Sequence, residues 1–256
     1  GAVIKSNITD FSNSMLISTD GSTGTLSSAS NNTGFGDQVF DDLTSGTDNT
    51  AMGSGALDAL TTGGSNTGLG RAALGSTTTG GSNTAVGRSA ASVNSTGEQN
   101  TAVGRSALGA NTTANDNTAV GYNSLLSNTT GTQNTGIGSR SLDANTTAND
   151  NTAVGYASLG ANTTGAENTV VGKDAMVDNT TGGSNTALGK SALGNNTTAS
   201  NNVAIGHGAM FDNTTGTSNT AIGYTALGDN TTASNNTAVG YLALRLNTTG
   251  TENVAV

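Results

Sequence analysis

The residues able to do chemistry are few, and they recur in columns. All four tyrosines, Tyr122, Tyr156, Tyr224 and Tyr241, occupy one position of a repeating pattern, and Arg71, Arg88, Arg105, Lys173, Lys190 and the single histidine His207 occupy the same one. Aromatic rings stack on sugar faces and cations pair with acidic groups, so this column reads as a lengthwise stripe for a host cell-surface glycan or a partner. The plainer reading is a solvated edge that follows a glycine, where any long side chain fits, with His207 an exposed substitute for Arg or Tyr. Acids gather elsewhere in the pattern, at Asp143, Asp178 and Asp212 and at Asp116, Asp150 and Glu167. Paired carboxylates roughly 5–10 Å apart would serve glycoside hydrolysis. Here each acid sits in a repeated turn, with no unique insertion to build a pocket, and the expectation is a protein that is not an enzyme.

Other chemistry is narrowed by composition. The chain has no cysteine and one histidine, which excludes disulfides, thiolate metal sites and a His-based zinc cluster within one chain. Asn115-Asp116 and Asn149-Asp150 offer calcium-type oxygens, but calcium-binding solenoids pair Asp with Gly-rich turns at a shorter period. No metal or cofactor is expected. A formal net charge of −9 argues against nucleic acid, which calls for clustered Lys and Arg. No apolar run approaches the roughly 20 residues of a membrane span, and the opening GAVIKSNITDF lacks a basic segment followed by an apolar one. Rows of Thr invite an ice-binding β-solenoid as a further alternative. Against it, Thr146 and Thr147 are adjacent, so a strand would turn them to opposite faces, and T-x-T alternation is absent.

What positions these columns is a period. From Asn32 a seventeen-residue phrase, as in NTAVGYASLGANTTGAE from Asn151, repeats with Asn at 32, 49, 66 and on to 253, without insertion. A fixed short period means that each copy is one turn of a stacked structure. With 3% aromatic residues the chain resembles a low-complexity segment, yet its apolar residues are locked to fixed positions, which a disordered linker does not require. Residues 1–31 fall outside the period. Val3–Ile4 and Met15–Ile17 are short β-type runs, with turn signals at Asp20–Gly21 and Thr23–Gly24, so this segment is expected to be a cap or connector. Residues 32–252 are thirteen full repeats, and 253–256 begin another and stop, which suggests a piece of a longer protein.

Within a turn, numbered from its first Asn, Thr118 to Tyr122 reads as a strand that sends Thr118, Val120 and Tyr122 to one side and Ala119 and Gly121 to the other. The fourth position is always Val, Ile, Leu, Met or Phe, and the ninth is almost always Leu or Met. These two columns are expected to form the interior. The Gly at position five either takes a dihedral region closed to other residues or admits another backbone. Asn162-Thr163-Thr164-Gly165 is turn chemistry, with Asn tolerating the left-handed region, and stacked Asn columns at positions one and twelve are expected to form amide ladders. No proline interrupts the main-chain ladder. The fold expected is all-β: a parallel β-solenoid, or β-roll, of 17-residue turns. So few apolar residues per turn leave a lone chain marginal, and the small Ala and Gly columns are expected to let chains pack side by side or intertwined as a homotrimer.

The NTAVG phrases, with Val203-Ala204-Ile205-Gly206 the nearest, resemble the repeats of trimeric autotransporter adhesin heads, whose fold is a left-handed parallel β-roll in a trimer. The longer phrase NTAVGY-x-AL-xx-NTTG is similar to repeats of phage tail fibres and bacterial surface proteins. The resemblance covers residues 32–256 at the level of the repeat and departs from the adhesin heads in its longer period. It implies a structural fibre at a virion or bacterial cell surface, extracellular, presenting a receptor-binding region.

Overall fold

The computed structural model describes residues 3–18 and 23–256, and the expected turn at Asp20–Gly21 lies outside them. The chain divides into two compact units, Gly1–Thr130 and Gly131–Val256. In the first, β1 (Val3–Ile8) and β2 (Phe11–Ser18) form an antiparallel hairpin. Strand β2 also pairs in parallel with β3 (Ala29–Ser30) and with β4 (Thr33–Phe35). The parallel ladder continues through β5 (Thr50–Met52), β6 (Thr67–Leu69), β7 (Thr84–Val86), β8 (Thr101–Val103) and β9 (Thr118–Val120). The second unit stacks β10 (Thr135–Ile137), β11 (Thr152–Val154), β12 (Thr169–Val171), β13 (Thr186–Leu188), β14 (Val203–Ile205), β15 (Thr220–Ile222), β16 (Thr237–Val239) and β17 (Val254–Ala255) in the same way. Each unit is a parallel β-solenoid in which a residue lies against its equivalent one turn on, as Thr152 against Thr169 and Ala153 against Val170.

The strands are shorter than the sequence pattern suggests. Thr118–Val120 is strand, and Gly121, at φ +138°, ends it before Tyr122. Hydrogen bonding from turn to turn nevertheless continues around the section. Gly155 N donates to Ile137 O, Ala157 N to Ser139 O, Leu159 N to Ala175 O and Thr163 N to Thr180 O. Non-glycine residues at positions seven, nine and seventeen take left-handed φ, for example Ala157 at 51°, Leu159 at 54° and Glu167 at 61°. Such dihedrals cost of order 1–3 kcal/mol each. Their N–H groups donate to a neighbouring turn, as in Leu159 to Ala175 and Glu167 to Asn149, which offsets the strain. The asparagines at positions one and twelve are not among these left-handed residues, contrary to expectation for Asn162, whereas Asn201 and Asn235 at position seventeen are.

The asparagines of positions one and twelve point inward and are buried, except at the last turn. Asn168 Nδ2 donates to Asn151 Oδ1 of the preceding turn (3.1 Å) and to the Gly182 carbonyl of its own (3.0 Å). Asn168 Oδ1 accepts from both Asn185 N (3.0 Å) and Asn185 Nδ2 (3.1 Å). All four hydrogen-bonding valences of that amide are filled. The position-twelve ladder runs beside it: Asn179 Nδ2 donates to Asn162 Oδ1 (2.8 Å) and also to Gly182 O (3.0 Å), so one carbonyl joins the two ladders. Leu43, Leu60 and Thr77 hold position twelve in the early turns, and that amide ladder begins at Asn94, which receives Asn111 Nδ2 at 2.7 Å. At the start of the other ladder Ser14 stands in for Asn: its Oγ accepts from Asn32 N (2.8 Å) and donates to Ser12 O (3.0 Å).

The apolar interior differs from the expectation in one column. Position nine is buried, with Leu108, Leu125, Leu142 and Leu159 at 0% exposure. Position four faces outward: Ile137 is 40% exposed, Leu188 47% and Phe35 54%, and Val120 is half-buried. Its inward partner is position three, the Ala column, buried at Ala102, Ala119, Ala153 and Ala204. Alternation along the strand holds as expected, with the two sides exchanged. The physical reason is section width: with two amide ladders, the position-nine Leu and the position-eight Ala or Ser already inside, the remaining slot takes a small side chain, Ala in most turns, Gly at Gly34, Gly68 and Gly136, and the buried Val170 at the upper limit. Where position eight is Ser, its hydroxyl is satisfied, as Ser141 Oγ donates to Ala153 O at 2.9 Å. The Ala column is consequently unavailable for packing chain against chain, and that argument for a trimer falls.

Candidate functional site

Position six lies just past the strand-ending glycine. There the chain turns outward, so Tyr122, Tyr156, Tyr224, Tyr241, Arg71, Arg88, Arg105, Lys173 and Lys190 are all exposed. Within each unit the one-turn spacing brings neighbours of this column together. His207 stacks on Tyr224 with ring centroids 5.4 Å apart at 14°, and Tyr224 on Tyr241 at 5.4 Å and 15°. Arg105 lies over the Tyr122 ring at 5.6 Å and Lys173 over Tyr156 at 5.8 Å. Tyr224 is stacked on both faces, whereas each of the other rings has one face against an adjacent turn, and Tyr241 stays 74% exposed.

Beside the column runs a shallow groove walled by positions six and seven on one side and ten and eleven on the other. In the second unit it holds a cavity of about 320 Å³ bordered by Lys190, His207, Phe211, Asp212 and Asp229. In the first, Arg71 borders a comparable hollow with Asp58 and Ser76. The charges are mixed, and Arg245 contacts Asp229 at 3.8 Å. Asp143, at position ten, has its carboxyl pushed above the usual carboxylate range by burial, opposed by the Arg140 guanidinium and a backbone hydrogen bond.

The acids do not converge. Among the described residues no group of three His, Cys, Asp or Glu side chains is placed to hold a metal ion. At the calcium-like pairs the Asn oxygens are engaged by the preceding turn: Asn115 Oδ1 accepts from Glu98 N at 2.8 Å and Asn149 Oδ1 from Thr132 N at 2.7 Å. The Asn-Thr-Thr sequons are likewise occupied, because Asn111, Asn128 and Asn162 are buried in the amide ladder. The adjacent threonines separate by role: Thr146 Oγ1 donates to Thr163 O at 3.1 Å, while Thr147 is exposed. Among the described residues no helix is long and apolar enough to cross a membrane.

The feature that sequence reasoning missed is the outward pair at positions two and four. Thr152 and Val154, and their equivalents on each strand, form a Thr column beside an aliphatic column. Side-chain volume does not mark it in the sequence, because position four ranges from Val to Phe and the buried position nine from Ala91 to Phe40. No family model matches the chain, no curated protein does, and no solved structure does.

Proposed function

We propose that this chain is a non-enzymatic structural component of a fibre, a phage tail fibre or a bacterial surface adhesin, that holds a receptor-binding region away from its base. It acts outside the cell, at a virion or cell surface, as a homotrimer. The observation that supports the reading is the uninterrupted register: within each unit successive turns repeat the same backbone ladder and the position-one amide column, so mechanical continuity is what the sequence repeats. An active site needs unlike groups converging on one place, and here the charged groups recur in columns along the stack, at positions six, ten, eleven and seventeen among others. Immunogold labelling of phage particles and of bacterial surfaces with antibody to residues 131–256 tests this. Label along a fibre between base and tip is expected, and label confined to the cytoplasm would overturn it. Sedimentation equilibrium at micromolar concentration is expected to give the mass of three chains.

A second reading has its own observation, the groove alongside position six. In it the Tyr, Arg and Lys column binds host polysaccharide directly. A glycan array with this chain separates the two: a spacer gives no signal, whereas a binder gives one that Tyr122→Ala and Tyr156→Ala reduce at least tenfold.

A further inference from the structure

The groove beside position six repeats from turn to turn except in one stretch of the second unit. At position ten other turns carry Asp, Gly, Ser, Leu, Val or Arg, and a single turn carries an aromatic ring, Phe211. At position eleven four successive turns carry Asp178, Asn195, Asp212 and Asp229, where Ala110, Ala144 and Ala161 stand in other turns. Across the groove, at position six, the same four turns carry Lys173, Lys190, His207 and Tyr224. These departures meet in the cavity of about 320 Å³. Its volume falls at the lower end of the roughly 300–1,000 Å³ range of small-ligand pockets.

Phe211 stands between Gly194 and Gly228 of its own column and lies over the first, since a Cβ on Gly194 would fall 2.7 Å from the Phe211 Cε2 atom. That contact seats the ring, which stays 40% exposed and takes no part in the stack of His207, Tyr224 and Tyr241. Asp212, next in the chain, is half-buried, and its Oδ1 accepts from Asn195 Nδ2 at 2.9 Å. A carboxylate has acceptor capacity well beyond one such bond. Arg245 reaches Asp229 at 3.8 Å. Lys190 and Arg245 thus offset Asp212 and Asp229, and the pocket has no net charge with which to draw in an anion.

We infer that this pocket is a single site for one neutral pyranose residue of a glycan, with the C–H face of the sugar on Phe211 and its hydroxyls donating to the Asp212 carboxylate. The inference rests on the second reading above, direct binding of polysaccharide, and moves the contact from Tyr122 and Tyr156 to Phe211 and Asp212. A neutral sugar is apolar on one face and rimmed by hydroxyls that donate and accept. An exposed ring beside a wall of carboxylate and amide complements both features. An anionic sugar would bring its charge against the position-eleven carboxylates. Identical turns offer identical surfaces, and a ligand is held at one place only where the repetition is broken, as it is here.

Saturation-transfer NMR on the full chain tests this, with the methyl glycosides of glucose, galactose and mannose as probes and glucuronate as the anionic counterpart. Transfer to the ring C–H protons of at least one neutral glycoside is expected. Phe211→Gly and Asp212→Ala introduce residues that other turns already carry at those positions, so the melting curve should hold. The dissociation constant should rise about tenfold or more in each, as it does when an anchoring contact is lost. Tyr122→Ala/Tyr156→Ala should leave it unchanged. No transfer to any neutral glycoside, or binding that Phe211→Gly leaves intact, overturns the inference. A preference for glucuronate overturns the neutral class. A glycan-array signal reduced by Tyr122→Ala and Tyr156→Ala but not by Phe211→Gly keeps the column reading and overturns this site alone. A silent array together with no transfer overturns both.

Discussion

At the scale of the residue, stability is concentrated in amides whose every valence is filled. Asn168→Ala removes the acceptor for Asn185 N and for one Asn185 Nδ2 hydrogen, leaving two buried donors unmet. At about 1–3 kcal/mol for each unsatisfied group, the loss is about 2–6 kcal/mol. A fall in the urea midpoint, with Thr164→Ala as an exposed control that stays within about 0.5 kcal/mol, checks this. Asp143 works in the opposite sense. Its carboxyl is raised by burial, so the folded state favours the protonated form, and this contribution to stability is present at low pH and lost as pH rises through the folded-state value. Asp143→Asn is accordingly expected to raise the urea midpoint at pH 7 and to bring no gain at pH 3.

At the scale of the element, the turn rests on a division between positions that need glycine and positions that only adopt positive φ. Gly172 has φ +145°, and a Cβ there would fall 2.3 Å from the Gly189 carbonyl oxygen. Both reasons proposed for the repeated glycine hold at once. Gly172→Ala should cost about 2–5 kcal/mol through backbone strain and overlap. Gly208, at φ +62°, has only Thr225 Oγ1 near its Cβ position, at 3.6 Å, and other turns carry Ser or Ala there, so Gly208→Ala is expected to stay within about 1 kcal/mol. Calorimetric melting of the two variants separates them. The same scale tests which way the strand faces: Leu159→Ala, in the interior, should cost about 2–5 kcal/mol. Val154→Ala, half in water already, should cost under about 1 kcal/mol at the same protein concentration.

At the scale of the molecule, each unit is a sum of nearest-neighbour turns. Removing one full turn, residues 185–201, rejoins Asn168 with Asn202 and keeps every column aligned. Removing residues 185–192 sets outward positions against inward ones. Far-UV circular dichroism and urea unfolding should show a cooperative, slightly weaker protein in the first case and loss of cooperativity in the second.

The sequence by itself determined the period, the parallel stacking, the amide ladders, the buried Leu column and the exposed column of tyrosines and cations. These follow from identity of spacing: once turns are equal in length, like residues stack on like. Only the tertiary structure decided that Ala119 lies inside and Val120 outside, that Leu159 and Ala157 rather than Asn162 take left-handed dihedrals, and that His207, Tyr224 and Tyr241 lie face to face. Alternation along a strand separates two sides without saying which is inner. That choice depends on the space left by the opposite wall, where Leu125 and Asn128 already stand, and so on residues that the strand meets only after the chain has closed its turn.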